Sequence, residues 1–275
     1  MSDLLQAVFL GVLQGLTEFL PISSSAHLRI VPDLLGWGDP GAAFTAVIQI
    51  GTELAVLIYF RHDLWRIGST WVRSLYRPEY RGQLDARMGW FIIIGSLPIV
   101  ILGILLKKHI ESTFRGLWVV TTMVIVVAVL MQIAEAYAKR QQLKGFEQLN
   151  VGDAIAVGLG QCLALIPGSS RSGSTIMTAL FRKIDRPTAA RFSFLLSIPA
   201  VGGAGFLELF HERHHLASLG WTPIIVSIVV AFISGYASIW FLLRYLKSHT
   251  THVFIYYRFA LGAVMIVLLL TGYLR

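Results

Sequence analysis

The sequence predicts an all-α, polytopic helical membrane protein: two re-entrant helical hairpins plus about six transmembrane spans, related by an inverted-topology repeat. Three observations lead there. First, the 275-residue chain is 55% hydrophobic and only 14% charged, with a mean hydropathy of +0.68. Soluble domains carry about 25% charged residues, so this chain lacks the polar side chains to cover a soluble surface, and a soluble globular enzyme is excluded. Second, the apolar residues come in long continuous runs without period-two alternation, as in spanning helices rather than barrel strands. Third, an apolar helix stopped by proline and followed by a serine-rich turn occurs twice.

The first run, Leu4–Leu20, is too short to cross a ~30 Å hydrocarbon core, which takes about 20 residues. The chain start lacks the basic segment and small-residue cleavage site of a signal peptide, and Asp3 is acidic, so the run is expected to be retained. It ends in Pro21-Ile22-Ser23-Ser24-Ser25-Ala26-His27. Three full spans follow, Ala42–Phe60, Met88–Leu106 and Leu117–Ala138. A second short run, Ala154–Ile166, ends in Pro167-Gly168-Ser169-Ser170-Arg171-Ser172-Gly173. Phe192–Phe210 reads as a span broken by Pro199, Gly202, Gly203 and Gly205, which a membrane helix tolerates when neighbours satisfy the freed backbone. Thr222–Leu246 and Val253–Leu274 complete the set. Each short helix with its polar turn and following short segment has the form of a re-entrant hairpin.

Setting Pro21 on Pro167 places Ser23-Ser24 on Ser169-Ser170, Ser25 on Arg171 and Thr45–Leu54 on Arg191–Ala200. The spans then follow in the same order, which reads as repeats of approximately 1-140 and 150-275 inside one integral membrane domain, 1-275. One hairpin and three spans per half is an odd number of crossings, so the second half is expected to be inverted. The charge of +8, from 23 Lys+Arg against 15 Asp+Glu, tests this. The basic residues sit in short connections, so topology rather than a nucleic-acid partner explains them. Fifteen fall on the side of Arg61–Arg87, Lys139–Lys144, Arg182–Arg191 and Arg244–Lys247; six (Arg29, Lys107, Lys108, Arg115, Arg213 and Arg275) fall on the other. The richer side is assigned to the cytoplasm. Both termini are then outside, and the hairpins enter from opposite faces with their tips near the midplane. Cys162, the single cysteine, makes no internal disulfide.

An ionisable residue at membrane depth costs at least a few kcal/mol and is a functional candidate by default. In the first hairpin Gln14 and Glu18, four apart, share a helix face, and Ser23, Ser24, Ser25 and His27 follow. The bland alternatives are a turn-capping or paired Glu18, turn-forming serines and a satisfied structural histidine. In the second hairpin Gly168, Ser169, Ser170, Ser172 and Gly173 resemble an anion nest in front of a helix N-terminus, and Arg171 adds a planar fork suited to phosphate oxygens. Together these are the parts of a phosphoryl-transfer site: cationic and N–H donors for the equatorial oxygens, a carboxylate for a proton or a cation, and a hydroxyl or water to attack. A secondary transporter or lipid flippase with an anion-binding midplane site is the rival reading, because inverted repeats and broken helices mark that class as well.

Gln14–His27 and Gly160–Thr175 closely resemble the two signature motifs of the undecaprenyl-diphosphatase family, also called the bacitracin-resistance proteins, and the resemblance extends through Phe44–Val56 and Phe192–Pro199 to essentially the whole chain. It implies removal of one phosphate from undecaprenyl diphosphate, yielding the carrier lipid used for peptidoglycan. It also implies a divalent cation (Mg2+ or Ca2+) and an active site on the outer face of the bacterial cytoplasmic membrane. By motif, Glu18 takes the family's acidic position and is the implied metal ligand. Gln14 stands where members have Glu or Gln, and as an amide it brings no charge to a metal. Ser24 matches the serine proposed as nucleophile, His27 the active-site histidine, and Ser170 and Arg171 the phosphate-binding pair; Ser25 stands where many members have threonine. Attack by Ser24 and attack by water both remain open. The implied partners are the lipid diphosphate and membrane lipid, and a homodimer is compatible with the reading. An acid-phosphatase-type membrane phosphatase is rejected, since its later histidine and aspartate are missing after Arg171-Ser-Gly-Ser-Thr.

Other polar residues are read less sharply. Gln49 and Glu53 lie four apart on the first full span, with Glu53 either lining the cavity or pairing with a basic residue. His211, Glu212, Arg213, His214 and His215 read as a solvated outer loop rather than a metal site. Arg258 is expected to snorkel at the cytoplasmic end of the last span.

Overall fold

The computed structural model describes residues 3–38, 41–111, 113–203 and 221–274. Among these residues the secondary structure is helical, and the only β feature is an isolated bridge between Lys144 and Ile184. The expected His-rich loop lies outside the described residues, as does the part of Phe192–Phe210 beyond Gly203.

The first hairpin is α1 (Asp3–Phe19) and α2 (Ser24–Leu34). α1 stops before Pro21, and Ser23 caps α2 by accepting the Ala26 amide at 3.3 Å. α3 (Gly41–Tyr59) and α4 (Arg61–Tyr76) meet at Phe60 with a 74° bend. Residues 61–76, which the sequence reads as a connection, segregate their basic and apolar side chains onto an amphipathic helix that lies against α5 (Leu84–Leu105). A short α6 (Lys107–Glu111) leads to α7 (Leu117–Ala138).

The second half opens with α8 (Val151–Gln161), started by a reciprocal cap in which the Asn150 side chain and the Asp153 amide pair at 3.1 Å. A 3-10 turn, Cys162–Leu165, carries the chain to α9 (Arg171–Phe181), capped by Ser170, whose hydroxyl accepts the Gly173 amide at 3.1 Å. α10 (Arg186–Ser197) runs into a π-turn, Ile198–Gly202, around Pro199. α11 (Trp221–Tyr245) and α12 (His252–Leu270) close the chain. α5, α7, α11 and α12 are each long and apolar enough to cross a membrane, and α3 with α4 passes the same test as one bent pair.

The two halves interlock. α1 lies along α11, α8 along α5, and α7 along α12. Small residues permit the close approaches. A Cβ at Gly15 would sit 2.6 Å from the Gly235 amide nitrogen, and one at Gly158 would sit 2.2 Å from the Gly95 carbonyl. Packing between helices in lipid relies on such contacts, because burying apolar surface from lipid gains little.

The caps also correct the repeat register. Ser23 and Ser170 both have left-handed backbone, with φ of 76° and 67°, at the same place in their hairpins. Each pairs with the hydroxyl two residues on, Ser25 at 3.1 Å and Ser172 at 3.2 Å. Ser23 therefore corresponds to Ser170, and Ser24 to Arg171, one residue out of step with the register the prolines suggest. Gly168 absorbs the extra residue at φ 95°.

Candidate active site

The hairpin tips meet, and their turns are bonded to each other. The Ser25 hydroxyl accepts the Gly168 amide at 3.1 Å, and the corresponding Ser172 hydroxyl donates to the Leu20 carbonyl at 3.1 Å. At this junction Glu18, 5% exposed, is held by three donors. Gln14 Nε2 and the Ser24 hydroxyl reach its Oε2 at 3.0 and 2.6 Å, and Arg171 Nη2 reaches its Oε1 at 3.2 Å. The second nitrogen of the Arg171 fork donates to the Ser193 carbonyl on α10 at 3.2 Å. A carboxylate and a guanidinium buried together offset much of each other's desolvation cost, which neither would recover alone.

These groups open onto a cavity of about 460 Å3. Glu18, Ser24, Ser25, Gln49, Ser170 and Arg171 form its polar end. Ile99, Val100, Gly103 and Ile104 of α5, with Leu165 and the Pro199–Val201 turn, supply apolar wall, and Lys107 also lines it. A charged head beside an apolar trough is the shape an amphiphilic ligand requires.

The profile of the family described as Bacitracin resistance protein BacA matches residues 7–264. The chain belongs to the BacA family. It is 56% identical over 272 residues to an undecaprenyl-diphosphatase of Nocardioides sp. (strain ATCC BAA-499 / JS614), covering 99% of this chain and 98% of that one. It is 51% identical over 279 residues to an undecaprenyl-diphosphatase of Chlorobaculum tepidum, covering 99% of both. A third undecaprenyl-diphosphatase, from Myxococcus xanthus, is 50% identical over 274 residues, 98% of this chain and 90% of that one.

Of the residues the sequence placed in this BacA-family site, Glu18, Ser24, Ser25, Ser170 and Arg171 face the cavity. Gln14 stands behind Glu18, wholly buried. His27 does not line the cavity. Its Nδ1 bonds the Ser23 carbonyl at 2.7 Å, its Nε2 bonds the Tyr257 hydroxyl at 2.6 Å, and its ring stacks on that of Tyr257. It supports the first tip from behind. The nest is also narrower than expected. The amides of Gly168, Ser169 and Gly173 are committed to Ser25, Ile166 and Ser170, and the Ser169 hydroxyl turns back to the Ile166 carbonyl at 2.7 Å. The backbone donors that remain are the amide of Ser170 and the first-turn amides of α9 at Arg171 and Ser172.

Arg258 departs most from expectation. It sits about two turns into α12 and is wholly buried. It donates to the carbonyls of Gly168 at 3.0 Å, Met123 and Val124 at 3.1 Å, and Pro21 at 3.5 Å. It thus ties both tips to α7, and among the described residues no carboxylate pairs with it. Its depth in an apolar run was the available signal. Tyr257 and Ser193 carried no signal in the sequence, because only the packing brings them to the tips.

Proposed function

We propose that this BacA-family protein hydrolyses undecaprenyl diphosphate to undecaprenyl phosphate and inorganic phosphate where the hairpin tips meet, and that the active site opens to the extracytoplasmic side of the cytoplasmic membrane. The observation that carries the reading is the chain Ser24–Glu18–Arg171, a hydroxyl on a carboxylate on a guanidinium, at the polar end of a cavity with an apolar wall. The isoprenoid lies against α5 and the π-turn, and the diphosphate reaches Arg171 and the first turn of α9.

Arg171 exchanges its bond to Glu18 for phosphate oxygens and holds the terminal phosphoryl group by charge and by its fork. Glu18, relieved of one donor, takes the proton of the Ser24 hydroxyl it already accepts. The Ser24 oxygen forms the new bond to phosphorus as the anhydride bond breaks, and undecaprenyl phosphate leaves. The proton on Glu18 departs with undecaprenyl phosphate; water then attacks the phosphoserine, gives a proton to Glu18, and Glu18 passes it to the departing Ser24 oxygen as inorganic phosphate is freed. His27 holds the Ser23 carbonyl and so fixes Ser24 at the helix start; it acts on geometry rather than on protons.

A divalent cation fits the donor chemistry here. Gln14 Oε1 is a buried oxygen without a hydrogen-bond partner beside the Glu18 carboxylate. Among the described residues no three His, Cys, Asp or Glu stand together, so such an ion would draw its other ligands from substrate oxygens and water. When bound, such an ion supplies positive charge against the diphosphate oxygens.

The test is phosphate release from undecaprenyl diphosphate by purified protein, with Ser24→Ala and Arg171→Ala. Wild type should release phosphate. Arg171→Ala should lose about 10²–10³-fold in turnover, the cost of removing a transition-state donor. A wild-type protein that binds the lipid and releases none would favour transport instead. Full turnover in Ser24→Ala would move the attack to water.

A further inference from the structure

A second polar site lies toward the other end of α5 from the catalytic cavity, where α4 ends. α4 leaves α3 at a 74° bend, so with α3 crossing the bilayer α4 lies closer to its plane. The surface of α4 carries two stripes at one spacing. Trp65, Val72 and Tyr76 stand at i, i+7 and i+11, and all are exposed, Trp65 by 79% and Tyr76 by 64%. Arg66, Arg73 and Arg77 repeat that spacing one residue on, about 100° further round the helix. The remaining face, with Ile67, Thr70 and Ser74, is buried. An apolar stripe beside a basic one is the pattern of a helix lying in the membrane interface, the level at which Trp and Tyr concentrate.

The arginines of this region divide into two sets. Arg66 pairs with Asp63 and Asp85, and Arg87 donates to the Leu149 carbonyl. Arg73, Arg77 and Arg81 gather where α4 ends, and among the described residues none of them pairs with a carboxylate. Arg73 lies over the Tyr80 ring at 5.8 Å, and Arg81 folds back so that its Nε donates to the Ser74 carbonyl at 3.3 Å. Arg81, Ser74, Leu75 and Trp90 line a cavity of about 350 Å3. The Trp71 ring meets that of Trp90 edge-on at 5.5 Å, and its buried Nε1 has no hydrogen-bond partner. Guanidinium groups gathered without a carboxylate suit a phosphate, and the exposed apolar stripe beside them suits acyl chains. A phospholipid of net negative charge meets both, whereas a soluble phosphate meets only the first. The site is separate from the catalytic cavity. The two share no lining residue, and Trp90 lies about 14 Å along α5 from Ile99. We propose that the end of α4 binds the headgroup of an anionic phospholipid of the bilayer, its phosphate against Arg73, Arg77 and Arg81 and its chains along Val72 and Tyr76.

The test is mass spectrometry of purified full-length protein, freed from detergent after titration with phosphatidylglycerol or with phosphatidylcholine of the same chains, so that bound lipid is counted directly. An arginine close to an anionic headgroup layer contributes about five-fold in affinity. Wild type should therefore prefer phosphatidylglycerol by roughly 100-fold, and Arg73→Gln combined with Arg77→Gln should lower that preference by about 25-fold. This pair leaves the Arg81 bond that closes the end of α4 in place, and melting in detergent without lipid checks that the variant folds. Lys139→Gln combined with Arg140→Gln, an exposed basic pair away from α4, should keep the full preference. Equal binding of the two lipids by wild type, or a preference that the arginine pair leaves unchanged, would overturn the assignment. So would a preference that the Lys139 and Arg140 pair removes equally, since net charge would then explain it. A preference lost in Arg171→Ala and kept in the arginine pair would put the lipid in the catalytic cavity instead. Displacement of phosphatidylglycerol by inorganic phosphate at matched ionic strength would make the site one for a free anion, which also refutes the proposal.

Discussion

Replacing Arg258 by methionine should disable the site without touching a residue that faces the cavity. The guanidinium makes three bonds of 3.0–3.1 Å and a longer one of 3.5 Å to four carbonyls. Two of these, on Pro21 and Gly168, belong to non-helical tips. A hydrogen bond to a charged group is worth about 1.5–3 kcal/mol, and an acceptor left bare in the interior costs about 1–3 kcal/mol. Three good bonds therefore give a gross loss of roughly 5–9 kcal/mol. Against this, methionine spares the protein a buried charge with no carboxylate opposite it, a relief of several kcal/mol. The net destabilisation should be on the order of 3 kcal/mol, concentrated at the tips. A tip displaced by about 1 Å costs on the order of 10²-fold in rate. Arg258→Lys keeps the charge but cannot span both tips and α7, so it should retain more stability than turnover. The assays are detergent melting and phosphate release per folded molecule. If Arg258→Met melts and turns over as wild type does, Arg258 does not hold the tips together, and the account of how they are positioned is wrong.

Two further substitutions probe the frame. Gly168→Ala places a left-handed residue where a Cβ would lie 2.3 Å from the Val120 carbonyl. Backbone strain of about 1–2 kcal/mol adds to a clash that α7 cannot relieve, so melting and turnover should both fall; retention of both would refute the turn geometry. Glu135→Ala removes a buried carboxylate that holds Arg186 through both its oxygens and accepts the Thr251 amide and hydroxyl at 2.8 and 2.7 Å. The loss should be on the order of 3 kcal/mol, since it leaves several donors bare, read as a lower melting point, and an unchanged one would show the pair contributes nothing.

Much of this was legible because membranes punish polar residues. Glu18 and Arg171 stood out as charges in apolar runs, and they are paired in the structure. The prolines marked the ends of both short helices, and the serines after them became caps. What the sequence hid was register and depth. The prolines aligned the hairpins one residue out, because Gly168 adds a residue to the second turn that only a positive φ can absorb. Arg258 looked close enough to a span end to snorkel, yet its partners are carbonyls from two distant hairpins that no local pattern announces. Glu53 read as ambiguous; it stands outside the cavity lining, and its partner is the Ser197 hydroxyl of α10, which only the packing brings near. His27 lies outside the cavity lining, bonded to the Ser23 carbonyl and the Tyr257 hydroxyl, a placement that its neighbours in the sequence do not announce.

The shared cap geometry bears on why two tips of like shape carry unlike side chains. With Gly168 as the extra residue, Glu18 keeps the proline register and corresponds to Ala164, while Ser24 corresponds to Arg171. All four line the cavity, so the cavity lies where the two related tips face each other. A repeat that kept the same side chains at both tips would confront carboxylate with carboxylate, or guanidinium with guanidinium, and like charges at that depth repel with little solvent to screen them. Divergence at two paired positions removes that conflict. One tip keeps the carboxylate and the hydroxyl; the other takes the cation and an apolar residue. The Glu18–Arg171 pair that results sets both buried charges against each other, with the carboxylate and the Ser24 hydroxyl on the first tip and the guanidinium on the second. The carbonyls left over at both turns carry no such divergence, and one residue outside the hairpins, Arg258, serves them both.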